Sequence, residues 1–261
     1  MKAAYCLVPL SFMLRSIVPA APVPAGTGPP HQTGGGDEHK MSVNAFLYRI
    51  SKLFPVNAVI ANVVGFITIT ETILAKEFGM VTTQNAVSNG QCADVTIIFA
   101  RGTGEAGNVS VLVGPHFFEA VQDKVAPATV GVQGVEWIAK APTFLLGGDA
   151  DGSRNMALEV TRALVACPRT KVVMSGYSQG SQLVHNAARL LPKAVAARVS
   201  SVVTFGSPDH LYAVPQISLA RQLSICHDSD PLCKGGNLIV PSHFTYVADV
   251  GQAADFVASR L

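Results

Sequence analysis

Lys171-Val172-Val173-Met174-Ser175 leads into Gly176-Tyr177-Ser178-Gln179-Gly180, which leads into Ser181-Gln182-Leu183-Val184-His185-Asn186-Ala187-Ala188-Arg189-Leu190-Leu191. The first run is short, apolar and partly β-branched, which predicts a buried strand. The last predicts a helix. Between them, G-x-S-x-G predicts a strand-to-helix turn so sharp that small residues must flank the serine. Such a turn holds Ser178 Oγ out above a helix N-terminus, as in a nucleophile elbow. A surface turn would also fit the five residues alone. The strand before them and the helix after them give the match its weight.

Working outward, the same alternation continues. Residues 94–100, 130–137, 199–205 and 221–226 are strand-like. Helices are predicted from 111 to about 125, with Phe117, Phe118 and Val121 on one face, and over 155–166, with Met156, Val160, Ala163 and Leu164 inward. A last helix is expected over 252–260. Strands alternating with helices of this length imply an α/β fold: a three-layer sandwich with a mostly parallel central sheet. No internal repeat is present.

The 261 residues suit one such domain plus an appendage. At 49% hydrophobic the chain can build a sizeable core, and a formal net charge of +2 without a basic run excludes nucleic acid as an expected partner. Residues 1–20 read as a secretory signal: Lys2, an apolar stretch from Ala3 to Leu14, then Val18-Pro19-Ala20, with cleavage after Ala20, Ala21 or Ala25. Residues 21–40, rich in Pro, Gly and His, read as a disordered linker or pro-segment.

Residues 41–90 form an N-terminal helical extension. Phe46, Leu47, Ile50, Leu53 and Phe54 share one helical face, and Val59, Val63, Phe66, Ile67 and Leu74 share another. A membrane span over 56–75 is the alternative. Asn57 and Asn62 interrupt it, and Glu71 and Lys76 close it, so no stable membrane insertion is expected. A helical hairpin packed on the main domain, or a cleaved pro-region, remains. The main domain spans 91–261. With Cys6 in the leader, four cysteines are left: Cys92, Cys167, Cys226 and Cys233. In a secreted chain they pair as disulfides, with three possible connectivities. The Cys226–Cys233 gap is too wide for usual zinc spacing, so no metal is expected.

A serine nucleophile needs a base in reach and a carboxylate to fix the base's tautomer. In α/β-hydrolases these follow the serine in the order acid, then histidine. The histidines beyond Ser178 are His185, His210, His227 and His243. His185 sits in the elbow's own helix and His210 follows a turn. His227 lies inside Cys226-His227-Asp228-Ser229-Asp230-Pro231-Leu232-Cys233, and His243 follows Leu238-Ile239-Val240-Pro241-Ser242. Taken singly, each suits a structural role as well as a catalytic one.

Four blocks together resemble the fungal cutinases and their acetylxylan esterase kin, secreted serine esterases. They are Cys92-Ala93-Asp94 leading to Ala100-Arg101-Gly102-Thr103-Gly104-Glu105; Cys167-Pro168 before the elbow; the loop with Cys226, Asp230 and Cys233; and Pro241-Ser242-His243 with Tyr246. They keep the family's order over residues 92 to 260. The resemblance implies Ser178 as nucleophile, His243 as base and Asp230 as orienting acid, with Asp228 the rival acid. It implies disulfides Cys92–Cys167 and Cys226–Cys233, and an oxyanion hole built from Thr103 and the backbone N–H of Gln179. Gly104 departs from the Thr or Ser often found there. The Asn that often supports the hydroxyl has only Asp149 as a counterpart in Leu146-Gly147-Gly148-Asp149. The implied activity is hydrolysis of cutin-type polyester and of short to medium acyl esters through an acyl-enzyme, without a cofactor. Apolar loops around 142–146 and 238–241 would rim the acyl site, and no long insertion suggests a lid. The implied protein is an extracellular monomer acting on a lipidic polyester or small ester. Acetylxylan esterase is the alternative within the family; a catalytically silent surface-binding or elicitor-like protein is the alternative from another class. Asn108-Val109-Ser110 is a glycosylation sequon that an unmodified turn would fit equally well.

Overall fold

Strands rich in Val, Ile and Phe can be buried only if both faces of their sheet are covered. The computed structural model describes residues 43–53 and 58–261; the expected signal (1–20), the linker (21–40) and Phe54 lie outside the described residues. In chain order the elements are α1 (Val43–Leu53), β1 (Ala58–Val59), α2 (Ile60–Phe78), β2 (Val95–Ala100), α3 (Gly114–Val125), β3 (Val130–Gly134), α4 (Ala141–Leu145) and α5 (Ala150–Ala166). Then come β4 (Lys171–Tyr177), α6 (Gln179–Leu190), α7 (Lys193–Ala196), β5 (Val199–Phe205), β6 (Gln222–Ile225), β7 (Leu238–Ile239) and α8 (Val250–Ala258).

The central sheet has the order β3-β2-β4-β5-β6, with every pair parallel. Successive strand residues alternate between two cores. Ile97, Phe99, Val173 and Phe205 pack with Phe117 and Phe118 of α3 and Ala253 and Val257 of α8. Ile98, Val172 and Met174 pack with Met156 and Val160 of α5 and Leu183 and Val184 of α6. This is the expected three-layer α/β-hydrolase-like architecture.

Several boundaries differ from expectation, the largest shift being α5, expected from 155 and beginning at Ala150 because Asp149 caps it there. The helix expected from 111 begins at Gly114, with Pro115 in its first turn, where a missing N–H costs nothing. The strand expected to reach 137 ends at Gly134, against which the Asn108 side chain packs too closely to admit a Cβ. Asn108 is fully buried. Its Oδ1 accepts from Gln84 N–H (2.9 Å), and its Nδ2 donates to Asn85 Oδ1 (2.7 Å) and Glu136 Oε1 (2.8 Å). In this fold the sequon asparagine is a structural tie with no room for a glycan.

The extension packs on the α3/α8 side. Phe46 and Ile50 of α1 are buried, and the Phe46 ring lies 4.6 Å from that of His116 on α3. On α2 the buried face is Ile60, Ile67, Thr70, Glu71 and Leu74, while Val59 and Phe66 of the expected face are exposed. The rotation is set outside the helix. β1 pairs antiparallel with β7, and Ile60 N–H donates to Asn237 O (3.2 Å), which fixes how the chain enters α2. Among the described residues no helix is long and apolar enough to cross a membrane.

Polar groups also fasten α2 to the loop after β2. Thr68 Oγ1 lies 2.5 Å from Gly104 O. Gly104 has φ +72°, and a Cβ there would come within 2.7 Å of Val64 Cγ1, so the expected departure from Thr or Ser leaves space for the helix. Glu71 accepts from Ala106 N–H (2.6 Å) through Oε2 and from the Ser110 hydroxyl (2.9 Å) through Oε1. The Glu105 carboxyl is buried beside it, with Oε1 left without a hydrogen-bond partner. Two interacting carboxyls out of water do not both hold a negative charge. Burial, and then the Glu105 charge, push the Glu71 carboxyl well above its usual range. Arg101, whose Nε donates to Glu105 O (2.8 Å), supplies the positive charge in the cluster.

A carboxyl whose pKa is raised by docking binds its proton more tightly docked than free. Docking is therefore fully supported below the ordinary carboxyl pKa of about 4.3, and that support is lost as pH rises through the raised value. Hydrogen exchange in α2, corrected for intrinsic rate, should be slow at mildly acidic pH and faster at alkaline pH. Glu71→Gln, which carries a permanent donor, should flatten this dependence. Equal protection at both pH values in the parent chain would contradict a proton held on Glu71.

Candidate active site

β4 ends in the elbow. Ser178 has φ 55° and ψ −123°, a strained conformation for a residue with a side chain. The neighbours explain why the chain accepts it. A Cβ on Gly176 would collide with the Gly180 carbonyl oxygen, and a Cβ on Gly180 with that of Ala100. Ser178 N–H donates to Phe205 O (2.9 Å) and Ser181 Oγ to Gly176 O (2.9 Å), which pins the turn to β5 and to itself.

His243 Nε2 lies 2.9 Å from Ser178 Oγ, and His243 Nδ1 lies 2.7 Å from Asp230 Oδ2. The carboxylate can only accept, so Nδ1 carries the proton and Nε2 faces the serine hydroxyl as an acceptor. Ser178, His243 and Asp230 are all buried. Burial alone would raise the Asp230 carboxyl. Hydrogen bonds from His243, Tyr246 and the Leu232 N–H, with the imidazole's charge, outweigh it and hold the carboxyl below its usual range. The His243 ring stacks on Tyr177 (5.1 Å between centroids), and Tyr177 Oη donates to His243 O (2.6 Å). Gly206 has φ +55°, and a Cβ there would press on the Tyr246 and His243 rings.

The other candidates lie elsewhere. Asp228 is exposed. His185 is buried within α6, its imidazole held below the usual range by burial. His210 Nδ1 lies 2.8 Å from Ser224 Oγ. His227 shares the Asp230 loop but faces away from the serine. The loop is closed by a Cys226–Cys233 bridge, and a Cys92–Cys167 bridge ties the start of β2 to the end of α5.

Thr103 is buried beside the elbow, and its hydroxyl donates to Gln179 Oε1 (2.6 Å). Gln179 Nε2 in turn donates to Thr143 Oγ1 (2.7 Å) and Lys140 O (3.2 Å). The hydroxyl's support therefore comes from inside the elbow and not from Asp149. Asp149 instead caps α5, accepting from Gly152 N–H (2.7 Å). The backbone N–H of Gln179 opens α6, where the first donors have no partner within the helix. Thr103 lines the space at Ser178, and Gln179 opens the helix directly after it.

That space is closed. The cavity at Ser178 measures about 10 Å³ and is lined by Thr103, His243, Ile239 of β7, and Ile60 and Ile67 of α2. It holds about one water and no acyl chain. No lid was expected because none interrupts the main domain; the cover comes from the N-terminal extension. Of the expected apolar rim, Leu145 and Leu146 are exposed, while Ile239 is buried beneath the cover.

Known proteins agree with this architecture. The cutinase family profile matches residues 91–261. A cutinase of Hypocrea jecorina is 42% identical over 216 residues, covering 83% of this chain and 85% of the relative. One from Botryotinia fuckeliana is 50% identical over 166 residues, covering 64% of this chain and 82% of the relative. The solved structure of Trichoderma reesei cutinase in complex with a C11Y4 phosphonate inhibitor superposes with a TM-score of 0.71 at 40% identity, covering 83% of this chain and 97% of that one. Domain, sequence and fold concur: the chain belongs to the cutinase family and is a serine carboxylester hydrolase.

Proposed function

We propose that Ser178 is the nucleophile, His243 the general base and Asp230 the orienting acid, with the oxyanion received by the backbone N–H groups of Thr103 and Gln179. The observation that carries this is the buried hydrogen-bonded line from Ser178 Oγ through His243 to Asp230. His243 Nε2 takes the hydroxyl proton as Oγ attacks the ester carbonyl. Asp230 stabilises the imidazolium, and the tetrahedral intermediate collapses as His243 gives the proton to the departing alcohol. Water then attacks the acyl-enzyme. Its proton goes to His243 and from there to Ser178 as the acid leaves. Losing one oxyanion donor typically costs about a hundredfold or more in rate.

The substrates are cutin-type polyester and short to medium acyl esters, in keeping with the relatives' name. The apolar lining at Ile60, Ile67 and Ile239 suits an acyl chain once α2 withdraws from Ser178. We also assign the protein to the extracellular space as a monomer; its two disulfides suit an oxidising compartment.

Ser178→Ala should lower turnover of a short-chain nitrophenyl ester by about a thousandfold or more, with the fold intact. It should also abolish covalent labelling by an alkyl phosphonate. Labelling that persists in this variant would remove Ser178 from the role.

The two loop acids separate by direct comparison. Asp230→Asn should lower kcat by about 10³- to 10⁴-fold, because an amide cannot enforce the Nδ1–H tautomer. Asp228→Asn should stay within about threefold of the parent, since an exposed acid outside the hydrogen-bonded line has little to lose. Equal losses in the two variants would mean that Asp230 is not the partner of His243.

A further inference from the structure

His227 is part of the Asp230 loop and has no part in the reaction described above. Its Nδ1 lies 3.0 Å from Ser242 O, and its Nε2 lies 2.8 Å from Asp249 Oδ2. Both partners are acceptors, and a neutral imidazole has one N–H to give. Thr245 Oγ1 also lies 3.3 Å from Nδ1 and 2.9 Å from Ser242 O. The ring nitrogens bridge the Ser242 carbonyl and the Asp249 carboxylate, whichever of the two nitrogens carries the proton.

The bonds join three separate pieces of chain. His227 follows Cys226 in the disulfide-closed loop that presents Asp230. Ser242 immediately precedes His243, and Asp249 stands at the start of α8. The His227 ring also lies flat on Tyr246, 4.1 Å between centroids at an angle of 18°. Tyr246 Oη accepts from His227 N–H (3.1 Å) and donates to Asp230 Oδ2 (2.8 Å), the oxygen that also receives His243 Nδ1–H. Burial raises the Tyr246 phenol, so it remains a donor to Asp230. The loop with the acid and the turn with the base are thus joined through Asp230 to His243 and Tyr246, and through His227 to Ser242 and Tyr246.

We propose that His227 is a positioning residue for ester hydrolysis, a hydrogen-bonded clamp that, with Asp249 and Tyr246, sets the distance between the Asp230 loop and the His243 turn. The proposal rests on the triad assignment. Without the ring's bonds the two segments keep only those through Asp230 and the Tyr246 phenol, and His243 spends less time in reach of both partners. Small displacements of reacting groups cost up to about a hundredfold in rate. Substrate contacts are untouched, so the loss falls on kcat and not on KM.

The test uses His227→Phe, which keeps a ring on Tyr246 and removes both nitrogens, alone and combined with Asp230→Asn. With a short-chain nitrophenyl ester, His227→Phe should lower kcat about ten- to a hundredfold with KM within about twofold. In the Asp230→Asn background it should have no further effect, because the clamp acts through that carboxylate. An unchanged kcat, or the same loss in both backgrounds, overturns the proposal. If His227→Phe does not melt cooperatively, Asp249→Asn decides: a several-fold fall in kcat confined to the Asp230 background supports the clamp, and no fall overturns it. A silent Asp230→Asn would instead remove the triad assignment, so the two failures are told apart.

Discussion

Two carbonyl-lined contacts at one turn govern most of what surrounds them. With Gly180 jammed against Ala100 and Gly176 against Gly180, β2, β4 and α6 meet without room for a methyl group. The chain can then leave β4 only by the positive-φ conformation at Ser178, which aims Oγ away from the sheet. The loops that meet this hydroxyl, at Thr103, Asp230 and His243, come from different places in the sequence. Each is fixed locally: Thr103 by Gln179, Asp230 by the bridged loop and Tyr246, His243 by Tyr177. The strain at Ser178 persists because the packing around it over-determines the turn.

Two fully buried carboxyls show how surroundings decide whether the cost of burial prevails. Asp230 and Glu71 are both 0% exposed. Asp230 faces donors alone, and its carboxyl is held low. Glu71 also has donors at Ala106 and Ser110, but a second carboxyl stands beside it, and its own is driven up. One group is therefore a fixed negative charge suited to a triad. The other is a neutral fastener whose hold depends on keeping a proton.

The central fold was legible in the sequence because its signals are local. Val172–Met174, the G-x-S-x-G turn and the inward positions of α3 and α5 each follow from near neighbours. Ser178, Asp230 and His243 were named through the blocks around them, above all the cysteine spacing, since no local pattern distinguishes His243 from His227 or His210. What escaped depends on contacts distant in sequence. The Gln179 side chain supports Thr103 across 76 positions. The face that α2 buries includes Thr70 and Glu71, polar residues that periodicity assigns to solvent, because their partners lie on the loop after β2. Asn108 matched a three-residue sequon, while its role is set by Gln84, Asn85 and Glu136.

The cover over Ser178 changes how affinity for this enzyme should be understood. Ile60 and Ile67 occupy the apolar ground beside the nucleophile, tethered to the same chain. They act as a built-in competitor whose strength does not dilute with the protein. A ligand's apparent dissociation constant is its intrinsic one divided by the fraction of molecules in which the competitor is withdrawn. Two esters that make identical contacts with the open cleft share that penalty equally. An ester that also engages the released face of α2 shifts the balance and escapes part of it. Selectivity between soluble and aggregated substrates can therefore arise in the closing equilibrium, without any difference at the reacting carbonyl.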